Sequence, residues 1–279
     1  MILCDFRARF LRVIIMIKRA SKRIRLLITV VLVVSIIMGL YLYTFNRLSR
    51  SGKNSREVIK VIELPLPKLE GNMSVEEAIA SRRSVRSYEN VPLTLEQISQ
   101  ILWSAQGITD VNKEFRASPS AGALYPLELY LVVGEDGVKK LEAGVYHYNP
   151  KSHTLEMTMR GDLRGPLSDA CLGQAWVKEA PACIVITAVY ERTTSVYGDR
   201  GIRYVHIEVG HVGQNIYLQA TALGLGTVAV GAFHDDEVKD VLGLPEDEEP
   251  LYVMPIGVTK TKNKLTLEEL KEYYQKHRD

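Results

Sequence analysis

The sequence predicts an α+β domain behind a single membrane-spanning helix. Three observations carry that reading. Residues 26–45 form a run of 20 residues without one charge. From about residue 60 onward, helix starts and apolar strand runs intermix without strict βαβ alternation, which favours α+β over a doubly wound sheet. Three capping boxes mark helix starts: Ser74 with Glu77, Thr94 with Gln97 and Thr266 with Glu269.

Composition bounds the class. The 279 residues are 46% hydrophobic and 24% charged, with 20 Gly and 11 Pro, which excludes a disordered or collagen-like chain. There are 3 Cys, none in a CxxC pair, so a disulfide scaffold, a zinc ribbon and a thioredoxin-like motif are excluded. Charge is divided unevenly along the chain. Residues 1–60 carry 13 Lys/Arg against 2 Asp/Glu, and the remaining 219 carry 22 against 31. An acidic body lacks the cationic face that nucleic-acid binding needs.

The charge-free run LLITVVLVVSIIMGLYLYTF (26–45) spans ~30 Å at ~1.5 Å per residue, the hydrocarbon thickness of a bilayer. Tyr41, Tyr43 and Phe45 crowd its far end, where an aromatic belt would lie. A buried core helix is the competing reading, and dense basic flanks weigh against it. Lys18, Arg19, Lys22, Arg23 and Arg25 precede the run; Arg47, Arg50, Lys53 and Arg56 follow it. The denser upstream side places the N-terminus in the cytoplasm and the body outside. No A-x-A-like site follows the run, so it reads as an uncleaved anchor. Met16 is an alternative start. The expected organisation is a basic cytoplasmic N-terminus (1–25), an anchor (26–45), a juxtamembrane linker (46–62) and one domain (63–279).

Within the body, the capping boxes open helices near 75–81, 95–105 and 267–277. ELYLVV (128–133), CIVITAVY (183–190), VAVGAF (228–233) and LYVMPIGV (251–258) read as strands. GVYHYNPKSHTLEMTM (144–159) reads as a hairpin turning at 149–152. A long helix covers about 201–223. Gly210 and Gly213 inside it each cost ~1 kcal/mol relative to Ala, which close packing against another helix, of this chain or of a second subunit, would offset.

Four segments are candidates for chemistry. SRRSVRSY (81–88) gathers Arg82, Arg83 and Arg86 around Ser84, a set of guanidinium forks and a hydroxyl that suits a phosphate; a solvated basic turn is the bland alternative. RASPSAGALYPLELYLV (116–132) is rich in small residues that let backbone approach a planar ligand. GLGTVAVGAF (224–233) follows a helix and enters a strand, the reverse of a dinucleotide fingerprint, so a Rossmann reading is rejected. HIEVGHVGQN (206–215) places Glu208 and His211 three apart on one helix face, but there is no HExxH and no third ligand, so no metal is expected. Cys171 and Cys183 read as packed thiols. No nucleophile elbow, Walker A loop or kinase signature is present.

Taken in order, SRRSVRSY (81–88), QILWSAQGIT (100–109), SPSAGALYPLELYLV (118–132), GVYHYNP (144–150), GQAWVKEAPACIVITAVYERT (173–193), the segment 197–233 and PLYVMPIG (250–257) resemble the nitroreductase-like flavoproteins, and most closely their SagB-type dehydrogenase branch. The resemblance runs from about 62 to 260. It implies a central, mostly antiparallel sheet flanked by helices, and a homodimer holding FMN at the subunit interface. It places Arg82, Arg83, Ser84 and Arg86 at the FMN phosphate and ribityl chain. Pro119, Ser120, Ala121 and Ala123 fall on the loop lining the flavin, and Val230, Gly231 and Ala232 face the isoalloxazine. Lys260 or Lys262 is implied as a further phosphate contact. Azoline-oxidising SagB-type enzymes resemble one another in a Lys-Tyr pair; here it reads Val196-Tyr197. Tyr197 remains the implied acid or base. The function so implied is hydride transfer through flavin N5 to or from a small or peptidic substrate. The alternatives are an NAD(P)H-dependent reductase of a small acceptor and a non-catalytic flavin-binding membrane module.

Overall fold

In a computed structural model, the described residues are Ser35, Met38, 56–261 and 263–278. The expected anchor therefore lies outside the described residues apart from Ser35 and Met38. Among the described residues, no helix is long and apolar enough to cross a membrane.

The body is built on one antiparallel sheet. Its strands are β1 (Lys60–Glu63), β4 (Leu127–Val133), β5 (Gly144–Asn149), β6 (Thr154–Arg160), β7 (Ala182–Ala188), β8 (Leu225–Thr227) and β9 (Glu249–Val258). They lie in the order β1-β6-β5-β4-β7-β9-β8. β2 (Ile108–Asp110) and β3 (Phe115–Arg116) form a separate two-stranded hairpin. The helices are α1 (Val75–Ser81), α2 (Leu95–Gln106), α3 (Arg164–Ala170), α4 (Ala175–Glu179), α5 (Glu191–Tyr197), α6 (Arg200–Ala222), α7 (Asp235–Leu242) and α8 (Leu267–Lys276).

Alternation along the central strands builds three layers. Leu129, Leu131, Ile184 and Ile186 turn to one face, against Ile98, Ile101 and Leu102 of α2 and Val205, Val212 and Ile216 of α6. Tyr130, Val132, Cys183 and Val185 turn to the other, against Leu167 of α3, Val177 of α4 and Val238 and Leu242 of α7. With both faces covered, β7 is buried along its whole length, and its sequence is accordingly a continuous run, not an alternating one. The one hydroxyl in that run, Thr187, donates to Glu248 Oε2 (2.9 Å), as does Tyr130 (2.9 Å). Arg56 closes the set as the ion-pair partner of Glu248. Together with the pairing of β1 on β6, this joins residues 56–63 to the sheet.

The three capping boxes are all formed, each with reciprocal side-chain and backbone bonds. The hairpin and the long helix also stand as expected. One strand does not. β8 covers Leu225–Thr227, and of residues 228–233 only Val230 pairs, in a single bridge to Val253. The Ala229 N–H is taken by the Tyr217 hydroxyl of α6 (2.8 Å) instead of a neighbouring strand. The two helix glycines have different surroundings. Gly213 lies against the Tyr252 ring of β9, where an added Cβ would be 3.6 Å away, and Gly210 faces open space.

Candidate active site

Two surfaces of α6 gather the residues singled out in the sequence. The first surrounds the Tyr217 hydroxyl. α1 ends at Arg82, whose ψ of 128° takes the chain out of the helix. The chain then runs extended beside β8. Ser84 bridges Thr227, and the Val85 N–H donates to Thr227 O at 2.9 Å. This close approach requires Gly226, because a Cβ there would lie 2.6 Å from that of Val85. Gly257 seats Tyr88 in the same way, at 2.8 Å.

Tyr217 connects this segment to the next. Its hydroxyl accepts from Ala229 N and lies 3.1 Å from Ser84 Oγ. Arg82 lies over the Tyr217 ring at 5.1 Å, and Arg86 over the Trp176 ring at 5.5 Å, holding two guanidinium groups on aromatic faces. Arg83 departs from the group: its Nη1 donates back to Ala80 O and Arg82 O, closing the carbonyl end of α1. Lys260 follows Thr259, which bridges Tyr88, and is exposed at this end of the sheet. Val230 is buried and both its backbone groups pair with Val253, whereas Gly231 and Ala232 are exposed. Thr227 Oγ1 and Trp176 Nε1 are closed off from solvent without a hydrogen-bond partner.

The second surface lies on the opposite side of α6. Asn215 is two residues from Tyr217, ~200° around the helix. Its Nδ2 donates to Ser104 O (2.9 Å) and Ser118 Oγ (3.1 Å), while Ser118 donates to Ala105 O (2.8 Å). These bonds moor the start of the small-residue loop. The loop then turns through left-handed backbone at Gly122 (φ 63°), Ala123 (φ 52°) and Tyr125 (φ 46°). The two non-glycine residues each store ~1–3 kcal/mol of strain, of the kind that clusters at functional sites. Ser120 Oγ accepts from Tyr125 N (3.0 Å), and Arg192 Nη1 donates to Tyr125 O (3.0 Å).

Tyr197 belongs to this second surface. It ends α5, its ring meets Tyr204 edge-on at 5.1 Å, and its hydroxyl would lie 2.9 Å from a Cβ on Gly122. Val196 beside it is 60% exposed. Glu208, two turns before Asn215 on the same face, is buried at 3% exposure, and its Oε1 has no hydrogen-bond partner. Burial pushes its pKa up to about 7, opposed by nearby Ser120 and Gln106 and by the charge of Arg116. Gln106 Nε2 is likewise buried and unpaired.

Sequence reasoning grouped Glu208 with His211. The structure buries the first and exposes the second. It missed Tyr217, Asn215, Gln106 and Arg192 as organising residues. Only the two-turn spacing of Glu208 and Asn215 signalled a shared polar face. Cys171 and Cys183 are buried, and burial pushes Cys171 up to about 12, consistent with packed thiols. Among the described residues, no group of three His, Cys, Asp or Glu side chains could hold a metal.

Residues 79–258 match the nitroreductase family. The chain belongs to that family. MJ1384 of Methanocaldococcus jannaschii, named as a nitroreductase, is 48% identical over 196 residues, covering 70% of this chain and 96% of that one. The trifolitoxin-processing protein TfxB of Rhizobium leguminosarum bv. trifolii is 30% identical over 65% of this chain, though the match spans only 50% of TfxB. Among solved structures, a nitroreductase of Ralstonia eutropha superposes with a TM-score of 0.64 at 29% identity, covering 75% of this chain and 91% of that one. The fold is therefore nitroreductase-like and the protein is an oxidoreductase. Likeness to TfxB and to the microcin B17-processing protein McbC of Escherichia coli, 28% identical over 169 residues, bears out the resemblance to the SagB-type branch.

Proposed function

We propose that this chain is a membrane-anchored, FMN-dependent oxidoreductase of the SagB type. The observation that carries the reading is the Tyr217 surface. The Arg82 guanidinium, the Ser84 hydroxyl and the Tyr217 hydroxyl meet the Ala229 backbone beside the unpaired Thr227 Oγ1, while Arg86 lies over Trp176, whose Nε1 is also unpaired, on the other face of the sheet. That donor set fits an anionic tail attached to a planar, hydrogen-bonding body. Support also comes from the NADPH-flavin oxidoreductase of Vibrio harveyi, 24% identical over 189 residues.

When bound, the flavin supplies hydride transfer at N5. This chain's residues do the rest. Arg82, Arg86 and Ser84 hold the phosphate, with Lys260 at the same end of the sheet. Pro119, Ser120, Ala121 and Ala123 present a thin backbone surface that excludes water. The Tyr197 hydroxyl, held over Gly122, gives or takes the proton that accompanies hydride. The two surfaces occupy opposite sides of α6, so one copy does not bring them together. A homodimer in which the loop of one copy faces the arginines of the other completes the site. Ile202 and Ile207, 44% and 47% exposed on α6, suit such a contact.

The membrane part of the reading rests on the charge-free run 26–45, with the body outside the cytoplasm; fusion reporters at the C-terminus test the side. The test of the whole is the absorption spectrum of the purified chain. Flavin bands near ~370 and ~450 nm are expected. A colourless protein that takes up no added FMN would leave only the fold. A second reading, reduction of a small acceptor at the expense of NAD(P)H, is favoured by Val196. Its exposed apolar side chain stands where azoline-oxidising relatives resemble one another in lysine. Anaerobic bleaching of bound flavin by NADH or NADPH would select it.

A further inference from the structure

Beneath the small-residue loop lies a buried polar pair that the proposed reaction does not use. Glu208 of α6 and Gln106 of α2 are 3% and 1% exposed, and each keeps one side-chain atom, Oε1 and Nε2, without a hydrogen-bond partner. An unpaired buried polar atom costs ~1–3 kcal/mol; the two lie close enough for the Gln106 side chain to favour the charged carboxylate, yet neither atom closes a hydrogen bond. Above them, Ser120 Oγ accepts from Tyr125 N (3.0 Å), which leaves its hydroxyl proton free to donate. Ser120 is within reach of the Glu208 carboxylate. Two of the next five residues are non-glycines held in left-handed backbone, so the loop is strained just where Ser120 anchors it.

We propose that Glu208 is a positioning residue for the flavin: acting through Ser120, it sets the shape of the Ser118–Tyr125 loop, so that the loop's hold on flavin is tied to uptake of a proton at Glu208. The inference rests on the FMN reading above. Its physical basis is the Ser120 hydroxyl: its hydrogen bond favours the charged carboxylate, and a ligand that draws the loop and that hydroxyl away favours the neutral form. A neutral carboxyl gains an O–H that can donate to Gln106 Oε1 or to the loop. The charged group facing Glu208 is Arg116 of β3, itself flanked by Arg192 of α5 and Glu128 of β4. α2 presents neutral Gln106 and the loop neutral Ser120. His206 and His211 on α6 itself are exposed.

The test measures FMN affinity of the flavin-stripped full chain from pH 7 to 9, above the second phosphate ionisation at about 6. Wild-type affinity is expected to fall at least about threefold over this range, because binding that takes up a proton weakens as pH rises. Glu208→Gln is expected to flatten the profile. The same pair of proteins, without flavin, gives an independent readout. A carboxyl whose folded pKa is raised stabilises the fold fully below its unfolded value of about 4.3 and loses that contribution as pH rises through about 7. The wild-type melting temperature should therefore decline across that window, and that of Glu208→Gln should not. Should Glu208→Gln fail to fold, Ser120→Ala serves: it should lose the pH dependence of FMN affinity yet keep the decline in melting temperature, a split that simple structural damage does not produce. Parallel profiles for wild type and both variants would overturn the inference alone. Wild type that takes up no FMN at any pH would overturn the flavin reading, and this inference with it.

Discussion

The two faces of α6 are held by different kinds of force. Around Tyr217, shape does the holding: Val85 is seated on Gly226, Tyr88 on Gly257, and the segment is bridged to the sheet at Ser84 and Tyr88. Around Asn215 and Glu208, the loop is held by side-chain hydrogen bonds through Ser118, Ser120 and Arg192, over backbone that is strained at Ala123 and Tyr125. Packing of the first kind has one solution and tolerates little change. Hydrogen bonds of the second kind respond to charge, tautomer and ligand. The cationic face is thus a rigid seat, and the loop face is the part able to respond.

The largest effect should come from breaking the rigid seat. Gly226→Ala puts a methyl 2.6 Å from the Cβ of Val85, an atom that cannot rotate away, and Val85 is bonded to Thr227. Overpacking of this kind costs ~1–3 kcal/mol, with the upper end expected here. Urea denaturation would read the loss, and FMN binding should suffer with it. A variant as stable as wild type would show that the Arg82–Tyr88 segment is loosely placed, and the contrast between the faces would fail.

Tyr217→Phe comes next. It keeps the ring beneath Arg82 but removes the hydroxyl shared by Ser84 and Ala229, leaving the Ala229 N–H without its acceptor. A cost of about 1–2 kcal/mol is expected. Fluorescence titration should show weaker FMN binding beyond that loss, since the Ser84 hydroxyl and the 229–232 backbone are released together.

Much of this was legible in the sequence, and what was missed shares a cause. Helix starts were readable because a capping box is a local bond between residues three apart, as at Ser74 and Thr266. The central strands were readable because burial on both faces leaves a continuous apolar run, as in Ala182–Ala188. The arginine cluster stood out by composition alone. The strand expected over 228–233 failed because Tyr217, 12 residues upstream of Ala229, captures its N–H, and no local pattern announces that. Glu208 was visible only as a helix residue with a histidine neighbour. Its burial depends on α2 and on a loop almost 90 residues away in sequence. Within the arginine segment, Arg83 is set apart by its backbone bonds at the end of its own helix, which composition does not announce.

The smallest effect on stability, and the sharpest contrast, should come from Gln106→Leu. Gln106 is 1% exposed, its Nε2 is unpaired, and its Oε1 receives only a long contact from Arg116 at 3.4 Å. Replacing an unsatisfied amide by an apolar group of similar volume removes a desolvation cost without removing a good bond. The flavin-free protein should change by less than about 0.5 kcal/mol, and a small gain would fit. Tyr217→Phe removes a satisfied hydroxyl and must destabilise; Gln106→Leu removes an unsatisfied amide and should not. FMN affinity should nevertheless fall in Gln106→Leu, because the neutral Glu208 carboxyl of the filled site loses Gln106 Oε1 as an acceptor. A large loss of stability in the flavin-free protein would mean that Gln106 is already bonded there. The loop face would then be as fully set as the cationic one, and the distinction between seat and responsive loop would disappear.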